Sequence, residues 1–501
     1  MPLVFLLLIV FGAISANAAT CESLAALALP GASITLVETV TAGTFIPPGA
    51  AGAAMPTLAG LPPFCRVAAT LKPSHDSDIR MEVWLPAGNW NGKYQAVGNG
   101  GWAGSIIYSA LAEGIRRGYA TSSTDTGHAG GTAKDMLGHP EKLIDYSYRA
   151  IHEMTVTAKA ITQAFYGDDP RLSYFVGCSA GGRQAMLEAQ RFAGDFDGIV
   201  AGAPSLNTTP MFTAARLWIA HAALKDGDAY IPRTKYPMIH QSVVNACDTI
   251  DGLQDGLIDD PRLCHFDPEV LQCMDGDNGS CLTGPQVEAA RKILAPVKHP
   301  RTGQEFLPGL EPGAELGWGV QAGGPEPYGV VHEGLKYVVF QDPNWDWRTF
   351  DFETDLIKLE QLDDPANATD PDLSAFASRG GKLLIYHGWA DQQVAPRSSI
   401  NYYESVLEKM GGAANTSDWL RLFMAPGMAH CGGGDGPNQF DALTAIEHWV
   451  ENGEAPEQIV ASHITADKVA RTRPLCPYPQ VARYAGAGSP DSAANFVCRL
   501  P

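Results

Sequence analysis

The order of strand-like and helix-like segments limits this 501-residue chain more than any other feature. Apolar runs at 80–85 (RMEVWL), 94–97, 119–121, 172–176 and 198–204 read as strands. They alternate with helix-like stretches at about 146–165 and 183–192. Such alternation predicts a mostly parallel sheet wound with helices. It stops after about residue 205 and resumes with a strand at 382–388, a helix at 398–410, a strand at 420–424 and a helix at about 440–452. A chain of this length exceeds what one hydrophobic core supports. The reading is therefore an α/β core in two parts, 19–205 and 379–501, interrupted by an inserted lid domain at 206–378. The insertion is rich in Gly, Pro, Asp and Trp.

The N-terminus and the cysteines speak to compartment. Residues 3–14 form a short apolar run, followed by Ala16-Asn17-Ala18, an A-x-A cleavage pattern. The run is too short to span a bilayer comfortably, although its n-region lacks Lys and Arg. Residues 1–18 are read as a signal peptide and the protein as secreted, extracellular or periplasmic; an uncleaved anchor is the other reading. No later stretch is long and apolar enough for a membrane span. Ten cysteines, an even number, fit export and a disulfide framework. Short separations favour Cys247–Cys264, Cys273–Cys281 and Cys476–Cys498, and Cys21–Cys65 would tie down the mature N-terminus. That leaves Cys178 and Cys431. The formal charge of −20 argues against a nucleic-acid partner, since phosphate binding needs a concentrated basic face.

Between the strand at 172–176 and the following helix stands Gly177-Cys178-Ser179-Ala180-Gly181-Gly182. G-x-S-x-G at a strand-to-helix turn is a nucleophile elbow of the α/β-hydrolase fold, with the Ser179 hydroxyl exposed at the turn. A serine needs a base, and the base a carboxylate to orient it. In this fold the partners follow in the order Ser, acid, His. Asp391 stands on a loop after the strand at 382–388, and His430 on a loop after the next strand. His387, at a strand end before the acid, is the rival base, and a structural role is expected for it. Cys178 precedes the serine and Cys431 follows the histidine; if they pair, covalent geometry holds Ser179 and His430 side by side. The oxyanion donors expected are the backbone N–H of Ala180 and one from the loop Gly98-Asn99-Gly100-Gly101-Trp102, with Gly101 favoured over Gly100.

Together, the Cys178-Ser179, Asp391 and His430-Cys431 constellation resembles that of the tannase and feruloyl esterase family. The resemblance extends through GNGGWAG (98–104), STDTGH (123–128), DFDGIVAGAPSLN (195–207) and HGWADQQVAP (387–396). It implies that Cys178 and Cys431 are bridged, and it supports the other four pairings. The segment 247–260 packs carboxylates and glycines into one loop. From composition alone it is either a calcium loop or an acidic surface loop. The resemblance implies a structural Ca²⁺ held by the side chains of Asp248, Asp251 and Asp255 and the carbonyls of Leu253 and Leu257, with no cofactor for catalysis.

The family acts on esters of aromatic acids. The activity this implies is a serine carboxylic-ester hydrolase, a feruloyl esterase first, with tannase or terephthalate-monoester hydrolase as alternatives. The substrate would be a small aromatic ester, free or attached to plant polysaccharide or polyphenol. A peptidase and a non-catalytic binding protein are the other classes considered, and the intact triad speaks against the second. Trp318, Tyr328, Phe340, Trp345, Trp347 and Phe350 crowd one part of the lid; most are expected in its core, and one or two in an acyl pocket.

Overall fold

Nine strands form one sheet in the computed structural model, which describes residues 19–49, 57–207, 213–362 and 364–501. The expected signal peptide, 1–18, lies outside the described residues. In chain order the strands are β1 (Ala32–Val40), β2 (Phe64–Leu71), β3 (Ile79–Pro86), β4 (Lys93–Val97), β5 (Ala120–Thr124), β6 (Leu172–Cys178), β7 (Gly198–Gly202), β8 (Lys382–Gly388) and β9 (Leu420–Ala425). Their order across the sheet is β1-β2-β3-β5-β4-β6-β7-β8-β9. The pairings from β1 to β5 are antiparallel. Those from β5 through β4 to β9 are parallel. The chain leaves the sheet after β7 and re-enters beside it as β8, so the long insertion does not disturb strand order.

The principal helices are α1 (Tyr108–Arg116), α2 (Ala150–Tyr166), α3 (Ala180–Arg191), α4 (Thr213–Leu224), α5 (Tyr236–Cys247), α6 (Gly284–Leu294), α7 (Arg397–Lys409) and α8 (Ala442–Asn452). Parallel strands buried on both faces should send successive side chains to opposite layers. Phe175, Ile199, Leu383 and Leu422 pack with α2, α3 and α7, whereas Tyr174, Val200, Leu384 and Phe423 pack with α8. Two helix starts differ from the sequence reading. A π-helical turn, Asp145–Arg149, precedes α2, and α3 begins at Ala180, directly after Ser179.

The inserted segment has its own apolar clusters. One gathers Ile219 of α4, Ile239 and Val243 of α5, Val287 of α6 and Trp318. A second gathers Leu217 of α4 with Val331, Leu335, Trp347 and Phe350. Trp318, Trp347 and Phe350 are thus core residues of the insertion, while Tyr328, Phe340 and Trp345 are half-buried. All ten cysteines are bonded, as Cys21–Cys65, Cys178–Cys431, Cys247–Cys264, Cys273–Cys281 and Cys476–Cys498. A C-terminal hairpin, β10 (Ile459–Thr465) and β11 (Lys468–Leu475), follows α8. Among the described residues no helix is long and apolar enough to cross a membrane.

Candidate active site

Ser179 sits between β6 and α3 with φ 64° and ψ −120°. A non-glycine residue in such a conformation costs about 1–3 kcal/mol and persists only where its surroundings over-determine it. Here they do. The Ser179 N–H donates to Gly202 O at 2.9 Å, its carbonyl accepts from Arg183 N at 3.0 Å, and Cys178 is disulfide-bonded. The turn is also tightly packed. A Cβ on Gly177 would lie 2.4 Å from Gly181 O, and one on Gly182 would lie 2.2 Å from Gly202 O. The glycines of the motif are therefore needed for close packing of the α3 N-terminus against β6 and β7.

Asp391 follows β8 and is fully buried. Its Oδ1 accepts the N–H groups of Gln393 at 2.7 Å and Val394 at 2.8 Å. Its Oδ2 faces two imidazoles, His430 Nδ1 at 2.7 Å and His387 Nε2 at 3.1 Å. Burial by itself would raise this carboxyl; the charge and hydrogen bond of His430, with those of His387, overcome it and hold Asp391 well below the usual carboxylate range. His387 is fully buried and is held from its other side by Ser399 Oγ at 2.8 Å. The expected structural role for His387 thus has a definite form: it is a second partner of the acid.

His430 follows β9 and keeps part of its ring exposed. The next residue, Cys431, has φ 62° and bonds Cys178 with a Cα–Cα distance of 6.0 Å. Two further peptide steps keep the Cα atoms of Ser179 and His430 within about 14 Å.

The glycine loop after β4 is fastened by Gln184, Thr124, Tyr146 and Val330. Asn99 N–H donates to Gln184 Oε1 of α3 at 3.0 Å, and Asn99 Nδ2 donates to Thr124 O at 2.9 Å. Tyr146 Oη donates to Gly101 O at 2.7 Å, and Trp102 stacks on Tyr146 at 4.4 Å. The Trp102 indole N–H donates across to Val330 O of the insertion at 2.8 Å. Ala180 is the first residue of α3, where backbone N–H groups have no partner within the helix.

The insertion also grips the acid loop, through contacts between residues far apart in sequence. Gln321 Nε2 donates to Gln392 O at 3.1 Å, and Tyr328 Oη donates to Gln393 Oε1 at 2.5 Å. His240 of α5 links Glu315 at 2.9 Å to Asp435, four residues past Cys431, at 3.2 Å. Burial would lower this imidazole, but the two carboxylates hold it up at about 9. Arg216 of α4 is fully buried and pushed down to about 10 by that burial, which the charges of Asp391 and Tyr328 partly offset. Arg216 lines a cavity of about 460 Å³ between insertion and core, with Leu206, Phe306, Val394 and Tyr402.

In the acidic loop, Asp248 Oδ1 accepts the N–H groups of Asp255 and Gly256 at 3.1 and 3.0 Å. Asp255 Oδ2 pairs with Arg473 of β11. Asp259, absent from the expected ligand set, is buried and has one carboxyl oxygen with no hydrogen-bond partner. Burial, then the charge of Asp251, drives its carboxyl well up. Asp248, Asp251, Asp255 and Asp259 offer oxygen donors only, the kind a hard cation such as Ca²⁺ takes, and the Asp259 oxygen is the one without a partner.

Known proteins share both sequence and architecture. The family profile described as tannase and feruloyl esterase matches residues 65–499. An uncharacterized esterase of Xanthomonas campestris pv. campestris is 38% identical over 97% of this chain and 92% of its own length. Feruloyl esterase C of Talaromyces stipitatus is 36% identical over 96% of this chain and 94% of its own. The crystal structure of feruloyl esterase B from Aspergillus oryzae superposes with a TM-score of 0.90 at 32% identity, covering 96% of this chain and 99% of that one.

Proposed function

This chain belongs to the tannase and feruloyl esterase family, a family of carboxylic ester hydrolases, and we propose that it is a secreted feruloyl esterase acting through Ser179, His430 and Asp391. The observation that carries the assignment is the disulfide Cys178–Cys431, which joins the residue before the strained serine to the residue after the histidine bonded to Asp391. His430 Nε2 takes the Ser179 proton as Oγ attacks the ester carbonyl, while Asp391 stabilises the imidazolium. The N–H groups of Ala180 and Gly101 receive the developing oxyanion. Return of the proton expels the alcohol. Water, activated by the same histidine, then releases the acid.

Asp248, Asp251 and Asp255, with the carbonyls of Leu253 and Leu257, would hold a calcium ion that stabilises the lid by neutralising its carboxylates; it takes no part in the chemistry. The substrate is a hydroxycinnamate ester, free or on plant polysaccharide or polyphenol. The test is a panel of ethyl ferulate, methyl gallate, a terephthalate monoester and a peptide anilide, with Ser179→Ala as control. Ethyl ferulate should turn over fastest, and Ser179→Ala should lose turnover while keeping its fold. Faster methyl gallate hydrolysis would make the enzyme a tannase, and peptide cleavage without ester turnover would overturn the reading.

A further inference from the structure

On the α2–α3 layer of the sheet, three potential ligand groups converge on one point. His152 lies in the first turn of α2, Glu188 in the last turn of α3, and Asp195 in the connection from α3 to β7. One ligand atom from each lies within 4.8 Å of the others. Glu188 is 1% exposed, and neither of its carboxyl oxygens has a hydrogen-bond partner. A buried, unpartnered carboxylate is costly unless something compensates it. His152 Nδ1 approaches Asp195 Oδ2 at 2.6 Å, and its ring is stacked on Phe192 at 3.9 Å, which fixes its orientation.

We propose that His152, Glu188 and Asp195 form a binding site for a divalent ion of the zinc class, separate from both the ester-cleaving site and the acidic lid loop. One imidazole nitrogen with two carboxylates is a borderline donor set, suited to Zn²⁺ and unlike the all-oxygen shell that Ca²⁺ takes. The carboxylates Glu188, Asp195 and Asp197 lie around Lys159 and Arg379, and His152 Nδ1 is paired with Asp195, so a bound ion would displace the proton between them. Lys159 itself is occupied by the Asp195 backbone carbonyl. The side chains of His152 and Asp195 are 29% and 15% exposed, so the ion has an entry path and a water can complete its coordination. Its effect is structural: it staples α2 to the C-terminal end of α3, the helix that begins directly after Ser179.

The competing account is a carboxyl pair in which Glu188 keeps its proton and donates it to Asp195. The experiment is titration of the full chain with Zn²⁺ in excess Ca²⁺, read by calorimetry and by thermal unfolding, for wild type, Glu188→Gln and His152→Gln. The expected result is one zinc per chain, a raised thermal midpoint, and at least a tenfold loss of affinity in each variant with ester turnover unchanged. His152 is half-exposed, so His152→Gln tests the site should the fully buried Glu188→Gln fail to fold. Absence of stoichiometric zinc in wild type would overturn the proposal, as would zinc binding that both variants retain. A zinc-free protein made more stable by Glu188→Gln would assign the proton-sharing pair instead.

Discussion

Removing the Cys178–Cys431 bridge with Cys178→Ser and Cys431→Ser should damage catalysis more than substrate binding. The bridge closes a sequence separation of 253 residues. In the chain-entropy account, a loop of that size contributes about 5 kcal/mol, an upper figure because native strain and residual structure reduce it. The local consequence matters more. Ser179 keeps its positive φ through a hydrogen bond to β7, carbonyl bonds from Arg183 of α3 and from Ser205, and the neighbouring disulfide. His430 keeps its place through Asp391, a backbone bond to Gln392 Oε1 and the same disulfide. Without the bridge each half retains its own hydrogen bonds, but the covalent tie between them is gone. A misplacement of about 1 Å between reacting groups costs on the order of 100-fold in rate. The double variant should therefore lose about 10- to 100-fold in kcat on ethyl ferulate with KM little changed, at a temperature where circular dichroism shows it folded. Mild reduction of wild type should inactivate it before it unfolds. A folded double variant with wild-type kcat would refute the reasoning that the bridge sets the serine–histidine geometry.

Three further outcomes follow from individual groups. His387→Asn places its amide near the Nδ1 position and loses the bond to Asp391, worth about 1.5–3 kcal/mol for a charged partner; kcat/KM should fall about 10- to 100-fold. His387→Gln, whose amide reaches the Nε2 position, should restore much of it; full activity in the Asn variant would show that the bond is dispensable. Because Asp391 is held below its unfolded value of about 3.9, its contribution to stability is complete above that pH and lost as pH falls; the Asn variant's thermal midpoint should fall less steeply below about pH 4. Asp125 has the opposite sign: burial pushes it up to about 7 despite N–H donors from Gly127 and Arg80. Its stabilisation is greatest below its unfolded pKa and lost as pH rises toward 7 and beyond, so Asp125→Asn should raise the midpoint at pH 8 and change it little at pH 4. Chelation should lower the midpoint of wild type, and Ca²⁺ but not Mg²⁺ should restore it; Asp251→Ala should abolish the response, and an unchanged midpoint on chelation would remove calcium from the lid loop.

The parts of the site that were legible in the sequence are those with local signals. The elbow announces itself through glycines that its own packing requires, and the flanking cysteines mark which serine and histidine belong together. Helix and strand alternation located the sheet because parallel strands must be apolar on both faces. The fastenings of the site were not legible, because each joins elements far apart in sequence. Gln184 reaches Asn99 across 85 residues, Tyr146 reaches Gly101 across 45, and Gln321 reaches Gln392 across 71. Nothing in a run of aspartates marks Asp259 as the one whose oxygen is buried without a partner, since that depends on how the loop folds back on Asp251 and on β11.

The choice between two histidines shows where local order ends and packing begins. Sequence order favours His430 over His387 only by analogy with how the fold arranges its partners. In the structure both imidazoles meet the same Asp391 oxygen, so proximity to the acid does not separate them. Burial does. His387 has no exposed side-chain surface and is enclosed by Ser399 and the Val394 carbonyl, leaving neither ring nitrogen a path to a substrate. His430 is 8% exposed and bonds Asp391 through Nδ1, so Nε2 is the nitrogen left for the proposed proton transfer. A base must exchange protons with the reacting group; an imidazole sealed in the core can only orient the carboxylate. In the proposed mechanism proton traffic therefore runs through His430, and His387 fixes the acid that serves it.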